Sequence, residues 1–320
     1  ASFDYGVGSG ASHLVCGHSK EHHLLEESLA EFTGRDRALL FSSGYMANVG
    51  TINALLNKQD AIFEDRLNHA SLLDGGWLSG ARFQRYLHND LENLMTRVQR
   101  TKARRKLIAV DSVFSMDGDK AKLAELKAVA QEHDAWLYID DAHSIGVIGE
   151  QGQGSTSCLN ENNQPNIIMA TFGKAIATSG AFLACEESLH DYLINFARHY
   201  IYSTAISPAL AWATIKSIEL IQQEQWRRDK IIELSELLLK LLDQSIEIIP
   251  STSSIHAIII GDEQKALNVS KQLQKQGIWL TAIRPPTVAI GSSRLRVTIC
   301  ANHNYNDIKH LANCLNEALI

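Results

Sequence analysis

No apolar run in the 320-residue sequence reaches the roughly 18 residues that a membrane-spanning helix needs, so no helix is expected to cross a bilayer. Basic residues are few relative to acidic ones, 30 against 36, for a net charge of -6. The densest basic block, Lys102 to Lys106, is too short to track a nucleic-acid backbone. The five cysteines (Cys16, Cys158, Cys185, Cys300 and Cys314) form no CxxC pair. A scattered odd count fits free thiols in a reducing cytoplasm better than a disulfide framework or a zinc site. A signal-peptide pattern, internal repeats and low-complexity tracts are also missing. The chain opens without Met on a Gly/Ser-rich stretch, Gly6 to Ala11, so an upstream segment is expected.

What is present is a globular composition, 45% hydrophobic, 21% charged and 7% aromatic, enough to build a full core. The length predicts two domains, divided as 1–206 and 207–320. In the first, short β-rich runs alternate with helical patterns. Strands are expected at 37–42, 61–65, 83–87, 106–111, 135–140, 166–171 and 181–185, with helices between. Lys106–Asp111 and Ala135–Asp140 are almost continuously apolar, as in strands buried on both faces. That predicts an α/β fold with a mostly parallel central sheet. Beyond Ser207 the rhythm changes to one long helical stretch through Asp243. Strands at 246–249, 255–260, 278–283 and 295–300 follow, with helices to Gln276 and at the end, suggesting a smaller C-terminal α+β domain.

Parallel sheets bind ligands beyond the carboxyl ends of their strands, which singles out Ser43-Gly44-Tyr45, the neighbourhood of Ser115, Asp140-Asp141-Ala142-His143 and Thr171-Phe172-Gly173-Lys174. Asp140 superficially resembles the magnesium-holding strand of a P-loop NTPase, but no GxxxxGK[ST] stretch exists. A carboxylate capping its own loop, a metal site and a cofactor site all remain open for it. Metal ligation is disfavoured because adjacent strand residues point to opposite faces. Lys174, flanked by Gly173 and small residues after a buried strand, reads either as a surface loop lysine or as a reactive amine. An amine beside a carboxylate from another strand end is what pyridoxal phosphate requires: the amine holds the cofactor and the carboxylate keeps the pyridine nitrogen protonated. Ser43-Gly44-Tyr45 would then offer backbone N–H groups to the phosphate, or else be a plain helix cap.

Together, Asp140-Asp-Ala-His143, Thr171-Phe-Gly-Lys174 and Arg198-His-Tyr-Ile-Tyr-Ser-Thr204 closely resemble the α-oxoamine synthases. These are fold-type I pyridoxal-phosphate enzymes within the class II aminotransferase family. The stretch Thr281-Ala-Ile-Arg-Pro-Pro-Thr-Val288 with Arg294-Leu-Arg296 is most similar to members that condense L-alanine with a pimeloyl thioester, on CoA or acyl-carrier protein, in biotin synthesis. The resemblance implies that Lys174 carries the cofactor and shuttles protons, that Asp140 pairs with the pyridinium, and that His143 and Ser115 address the phenolic oxygen. It implies His69 on the ring face, Gly44, Tyr45 and Thr171 at the phosphate, and Ser203 and Thr204 reaching the phosphate of a second subunit in a homodimer. Thr287 and Arg296 would face the substrates, with no metal required. The chain departs from the group's usual pattern at Ser144-Ile145, after the histidine, and at Ala289. The alternatives are the same chemistry on glycine and acetyl-CoA, or a non-catalytic pseudoenzyme subunit.

Overall fold

The computed structural model describes residues 2–160 and 163–320, which cluster into two units. The first comprises residues through Ser112 together with Ala121–Gln223; the second comprises Val113–Lys120 and Glu224–Ile320. The helix Pro208–Gln223 belongs to the first unit, packing on the helix Lys20–Thr33.

Among the described residues the first unit is organised on a seven-stranded sheet of β1 (Arg37–Phe41), β2 (Ala61–Asp65), β3 (Arg82–Tyr86), β4 (Lys106–Asp111), β5 (Ala135–Asp140), β6 (Ile167–Thr171) and β7 (Ala181–Cys185). The order is β1-β7-β6-β5-β4-β2-β3. Pairings are parallel except those of β7, which runs against both β1 and β6. The apolar runs follow from burial on two faces. Leu39, Phe41, Leu183 and Met169 enter one core layer, whereas Ala38, Leu40, Phe182 and Ile168 enter the other. The carboxyl ends of β1, β2, β4, β5 and β6 therefore share one edge, where Asp65, Asp111, Asp140 and Thr171 end their strands.

In the second unit β8 (Ile255–Gly261), β9 (Thr281–Ile283) and β10 (Ser293–Thr298) form an antiparallel sheet in the order β8-β10-β9. Leu234, Leu238, Leu273, Leu311 and Leu315 of its helices share a core with Ile258, Leu295 and Val297.

Three local expectations are corrected. The helical stretch through Asp243 breaks at Glu224, which starts a second helix, Gln225–Leu241, and pairs with Arg227. Residues 246–249 pair only through the single bridge Ile248↔Ile258, closed by Ile249 N–H on Ala257 O at 3.0 Å and Ile259 N–H on Glu247 O at 2.8 Å. The strand expected from Ile278 begins at Thr281, because the Ile278 N–H donates to Leu273 O to close the preceding helix over Gly277 at φ +80°. No helix among the described residues is long and apolar enough to cross a membrane.

Candidate active site

The shared strand edge of the first unit carries a connected polar network. Asp140, at the end of β5, is buried, and its Oδ2 accepts from Asn48 Nδ2 at 2.8 Å. Its Oδ1 accepts from the Ala142 N–H at 3.1 Å. Asn48 also donates to Ser71 Oγ at 2.8 Å and accepts from the Tyr138 hydroxyl at 2.7 Å, so both of its amide hydrogens are used. Ser71 meets His69 Nδ1 twice, through Oγ at 2.7 Å and through its backbone N–H at 3.3 Å. A donating N–H makes Nδ1 the acceptor, which places the imidazole hydrogen on Nε2, at an exposed ring.

Local sequence explains why these groups meet. The helix Gly44–Leu55 buries Ala47, Asn48, Val49, Gly50, Thr51 and Ile52 in succession, so a polar residue inside it must find protein partners. The helix Ala70–Leu78 presses against it at Gly75, where a Cβ would stand 2.9 Å from Ile52 Cδ1 and 3.3 Å from Asn48 O. That close approach brings Ser71 within reach of Asn48.

Asp111, at the end of β4, lies in register with Asp140. Its Oδ2 accepts from the His69 N–H at 2.6 Å. Burial, reinforced by the Asp140 carboxylate and opposed by the Lys174 amine, raises Asp111 well above the usual carboxylate range. Glu64 in β2 is buried as well, and desolvation pushes it up to about 8. Asp141 faces away from this cluster. It accepts from Ser155 N at 2.9 Å and also from the Ser155 hydroxyl, capping the following loop. The capping role left open for Asp140 thus falls largely to its neighbour, and the two carboxylates do not converge as metal ligands.

Lys174 sits on the tight loop between β6 and β7. The loop is held by Phe172 N–H on Gly180 O (2.9 Å), Thr178 N–H on Phe172 O (2.9 Å) and the buried side chains of Phe172 and Ile176. The lysine itself is exposed at the loop's tip. Gly44 and Thr171 are neighbours: a Cβ on Gly44 would lie 3.7 Å from Thr171 Cβ. Ser43 Oγ takes the Met46 N–H at 3.2 Å and Ser43 O takes the Ala47 N–H at 3.0 Å. The N–H groups of Gly44 and Tyr45 lie ahead of these, at the positive end of the helix. Ser42 Oγ donates to Thr204 O at 2.8 Å, which brings the Ser203-Thr204 stretch to the same helix start. The Tyr45 ring stands edge-on to His69, with centroids 6.4 Å apart, and its hydroxyl bonds Asp74. His143 is half-buried on the turn after β5.

This donor set fits pyridoxal phosphate: a primary amine, a buried carboxylate, an imidazole and a free helix N-terminus for the phosphate. Asn48, Ser71 and Asp111 were missed in the sequence. The signal available was an asparagine in an otherwise apolar helix and a carboxylate ending an apolar strand.

The remaining expected residues belong to the second unit. Ser115 lies in the Val113–Lys120 turn, and Thr287 donates its N–H to Arg284 O at 3.0 Å. Arg294 and Arg296 differ sharply. Arg294 is buried and ion-paired to Asp117, whereas the Arg296 Nε has no hydrogen-bond partner. Arg296 lines a cavity of about 560 Å³ within that unit, with Trp279, Thr281, Thr298 and His303.

Residues 6–315 match the family model for class I and II aminotransferases. The 8-amino-7-oxononanoate synthase of Saccharophagus degradans is 53% identical over all of this chain and 81% of its own length. The enzyme of that name from Nitrosococcus oceani is 51% identical over 99% of the chain and 84% of its own length. Among solved structures, serine palmitoyltransferase of Sphingomonas wittichii superimposes with a TM-score of 0.95 at 30% identity, covering 99% of this chain and 80% of that one. The 8-amino-7-oxononanoate synthase of Francisella tularensis does so with a TM-score of 0.86 at 28% identity, covering 99% and 90%.

Proposed function

The chain belongs to the class I and II aminotransferase family, and on that premise we propose that it condenses L-alanine with a pimeloyl thioester, releasing carbon dioxide and thiol, to form 8-amino-7-oxononanoate. The observation that carries the chemistry is the buried Asp140 carboxylate, fixed by Asn48 at the sheet edge that also bears the Lys174 loop and the free start of the helix Gly44–Leu55. The substrate pair follows from full-length similarity to relatives of that name.

Pyridoxal phosphate, when bound, supplies an electron-accepting ring that stabilises negative charge on the amino-acid α-carbon. Lys174 would hold it, and its Nζ would take the alanine α-proton and return it at the end. Asp140 would keep the ring nitrogen protonated, and His143 and Ser115 would be the partners of its phenolic oxygen. The N–H groups of Gly44 and Tyr45, with Thr171, hold the phosphate. Ser203 and Thr204 extend to the phosphate of a second copy of the chain, making a homodimer; the exposed Trp77 and Leu78 supply apolar surface for such an interface. His69 covers the ring face, its orientation set by Ser71. Thr287 and Arg296 bind the substrates, the guanidinium gripping the alanine carboxylate. In the bond changes, the alanine α-carbon joins the acyl carbonyl, thiol departs, and the amino-acid carboxylate leaves as carbon dioxide. A base of this kind contributes about 10²–10⁴-fold. Free cysteines throughout suit a reducing cytoplasm.

The test crosses alanine, glycine and serine with acetyl and pimeloyl thioesters and identifies products by mass. Alanine with the C7 dicarboxylic acyl group is expected to dominate. Preference for glycine with acetyl-CoA would move the chain to the other branch of the chemistry, and no turnover with any pair would favour a pseudoenzyme.

A further inference from the structure

Away from the strand edge, four histidines crowd the start of the helix Lys20–Thr33, and they divide by their bonding. His22 is fully engaged: its Nδ1 accepts from the Ser19 N–H at 3.0 Å, and its Nε2 bonds Ile206 O at 2.7 Å. His13 stacks on Tyr200, with centroids 4.8 Å apart, and its Nδ1 meets His18 Nδ1 at 2.9 Å. His18 and His23 then turn toward one carboxylate. His18 Nε2 stands 3.8 Å from Glu26 Oε2, and one ligand atom each of His18, His23 and Glu26 lies within 4.8 Å of the others.

We propose that His18, His23 and Glu26 form a binding site for a divalent transition metal of the zinc type, independent of the cofactor chemistry. Two imidazoles and one carboxylate with open positions are a set that zinc accepts. His23 and Glu26 are three residues apart on one helical face, and His18 folds back onto them from ahead of the Ser19 cap. Glu26 is largely withdrawn from solvent, its side chain 13% exposed, and Oε2 is the oxygen it turns toward His18. The outer shell is also present. With metal on His18 Nε2, the ring hydrogen sits on Nδ1 and donates to His13 Nδ1, the arrangement that orients a ligating histidine. His23 otherwise meets only the exposed Glu27, at 3.2 Å, a surface pair of little strength.

The experiment is equilibrium dialysis of untagged, chelator-washed holoenzyme against Zn²⁺, with metal counted per chain and thermal unfolding followed in parallel. Wild type is expected to bind one more Zn²⁺ per chain than His23→Ala, and to unfold at a higher temperature in its presence. His23 is exposed, so His23→Ala keeps the metal-free unfolding temperature. Glu26→Gln, close in shape, is expected to weaken binding by about tenfold or more. Cys16→Ser, removing an exposed thiol nearby in sequence, is expected to bind as wild type. Equal binding by wild type and His23→Ala, or loss of binding in Cys16→Ser, would overturn the assignment.

Discussion

Arg294 and Arg296 share one face of β10 by the two-residue period, yet their surroundings assign them opposite tasks, and a double comparison separates them. Arg294 is 7% exposed and ion-paired to Asp117, whose side chain is itself 12% exposed; its Nε also donates to Ser292 O at 3.1 Å. Arg294→Ala strands a buried carboxylate, a loss of about 3–5 kcal/mol. For a folding unit on the order of 100 residues, each kcal/mol moves the midpoint by about 4–8 °C, so the second unit should melt well over 10 °C lower. Arg296 has no such partner for its Nε and lines a cavity. Arg296→Ala should leave the melting temperature near that of wild type. It should remove charge-assisted bonds to the amino-acid carboxylate worth about 1.5–3 kcal/mol, weakening alanine binding by about 10- to 150-fold. Arg296→Lys should recover part of that, lacking the bidentate fork. The assay pairs thermal unfolding with alanine titration, followed through the cofactor's visible absorbance. If Arg296→Ala binds alanine normally but melts early, the guanidinium is structural and the reasoning fails.

Lys174→Ala should retain the fold and bind pyridoxal phosphate only reversibly; any borohydride-reducible adduct on the purified variant would remove Lys174 from its role. Asp140→Asn keeps the acceptor for Asn48 but loses the charge, so cofactor should still bind while turnover falls by about two orders of magnitude or more, and normal turnover would reduce Asp140 to a loop cap. Glu64, ordinarily near 4.5 and held at about 8, keeps a proton in the folded state that the unfolded chain has released. Its contribution is therefore full below about pH 4.5 and lost as pH rises toward 8, at up to about 1.4 kcal/mol per pH unit. Glu64→Gln should flatten the difference in unfolding temperature across that interval, and an unchanged profile would place the ionisation elsewhere.

Much of this was legible in the chain, and the boundary of what was legible has a physical cause. Lys106–Asp111 and Ala135–Asp140 announce themselves because a strand covered on both faces has no room for polar residues until it leaves the core. The first carboxylate therefore marks the strand's end and the ligand edge together. Lys174 stood out by the same logic of contrast, a charge among small residues. Pairing depended on more than local pattern. Residues 246–249 are as apolar as a strand but pair at one bridge only, and Ile278 looks like strand while its N–H is spent on Leu273 O. Those are decisions about individual hydrogen bonds, which hydrophobic period does not encode.

Asn48 shows where site reading from strand ends stops. It lies four residues into the helix Gly44–Leu55, with no motif around it, yet it fixes Asp140, Ser71 and Tyr138 at once. Only a helix buried residue after residue could carry an asparagine to the back of a strand-end carboxylate, and only the glycine at 75 lets the neighbouring helix bring Ser71 to it. The consequence is that Asp140 and His69, read separately from two motifs, are one unit: Asn48→Leu would break the link between them without touching either. Loss of the hydrogen bond to the carboxylate should destabilise the fold by about 1.5–3 kcal/mol. It should also free His69 and Ser71 to reorient, raising the alanine KM along with lowering kcat. A variant that loses stability with both constants intact would show that Asn48 supports the core alone and leaves the site untouched.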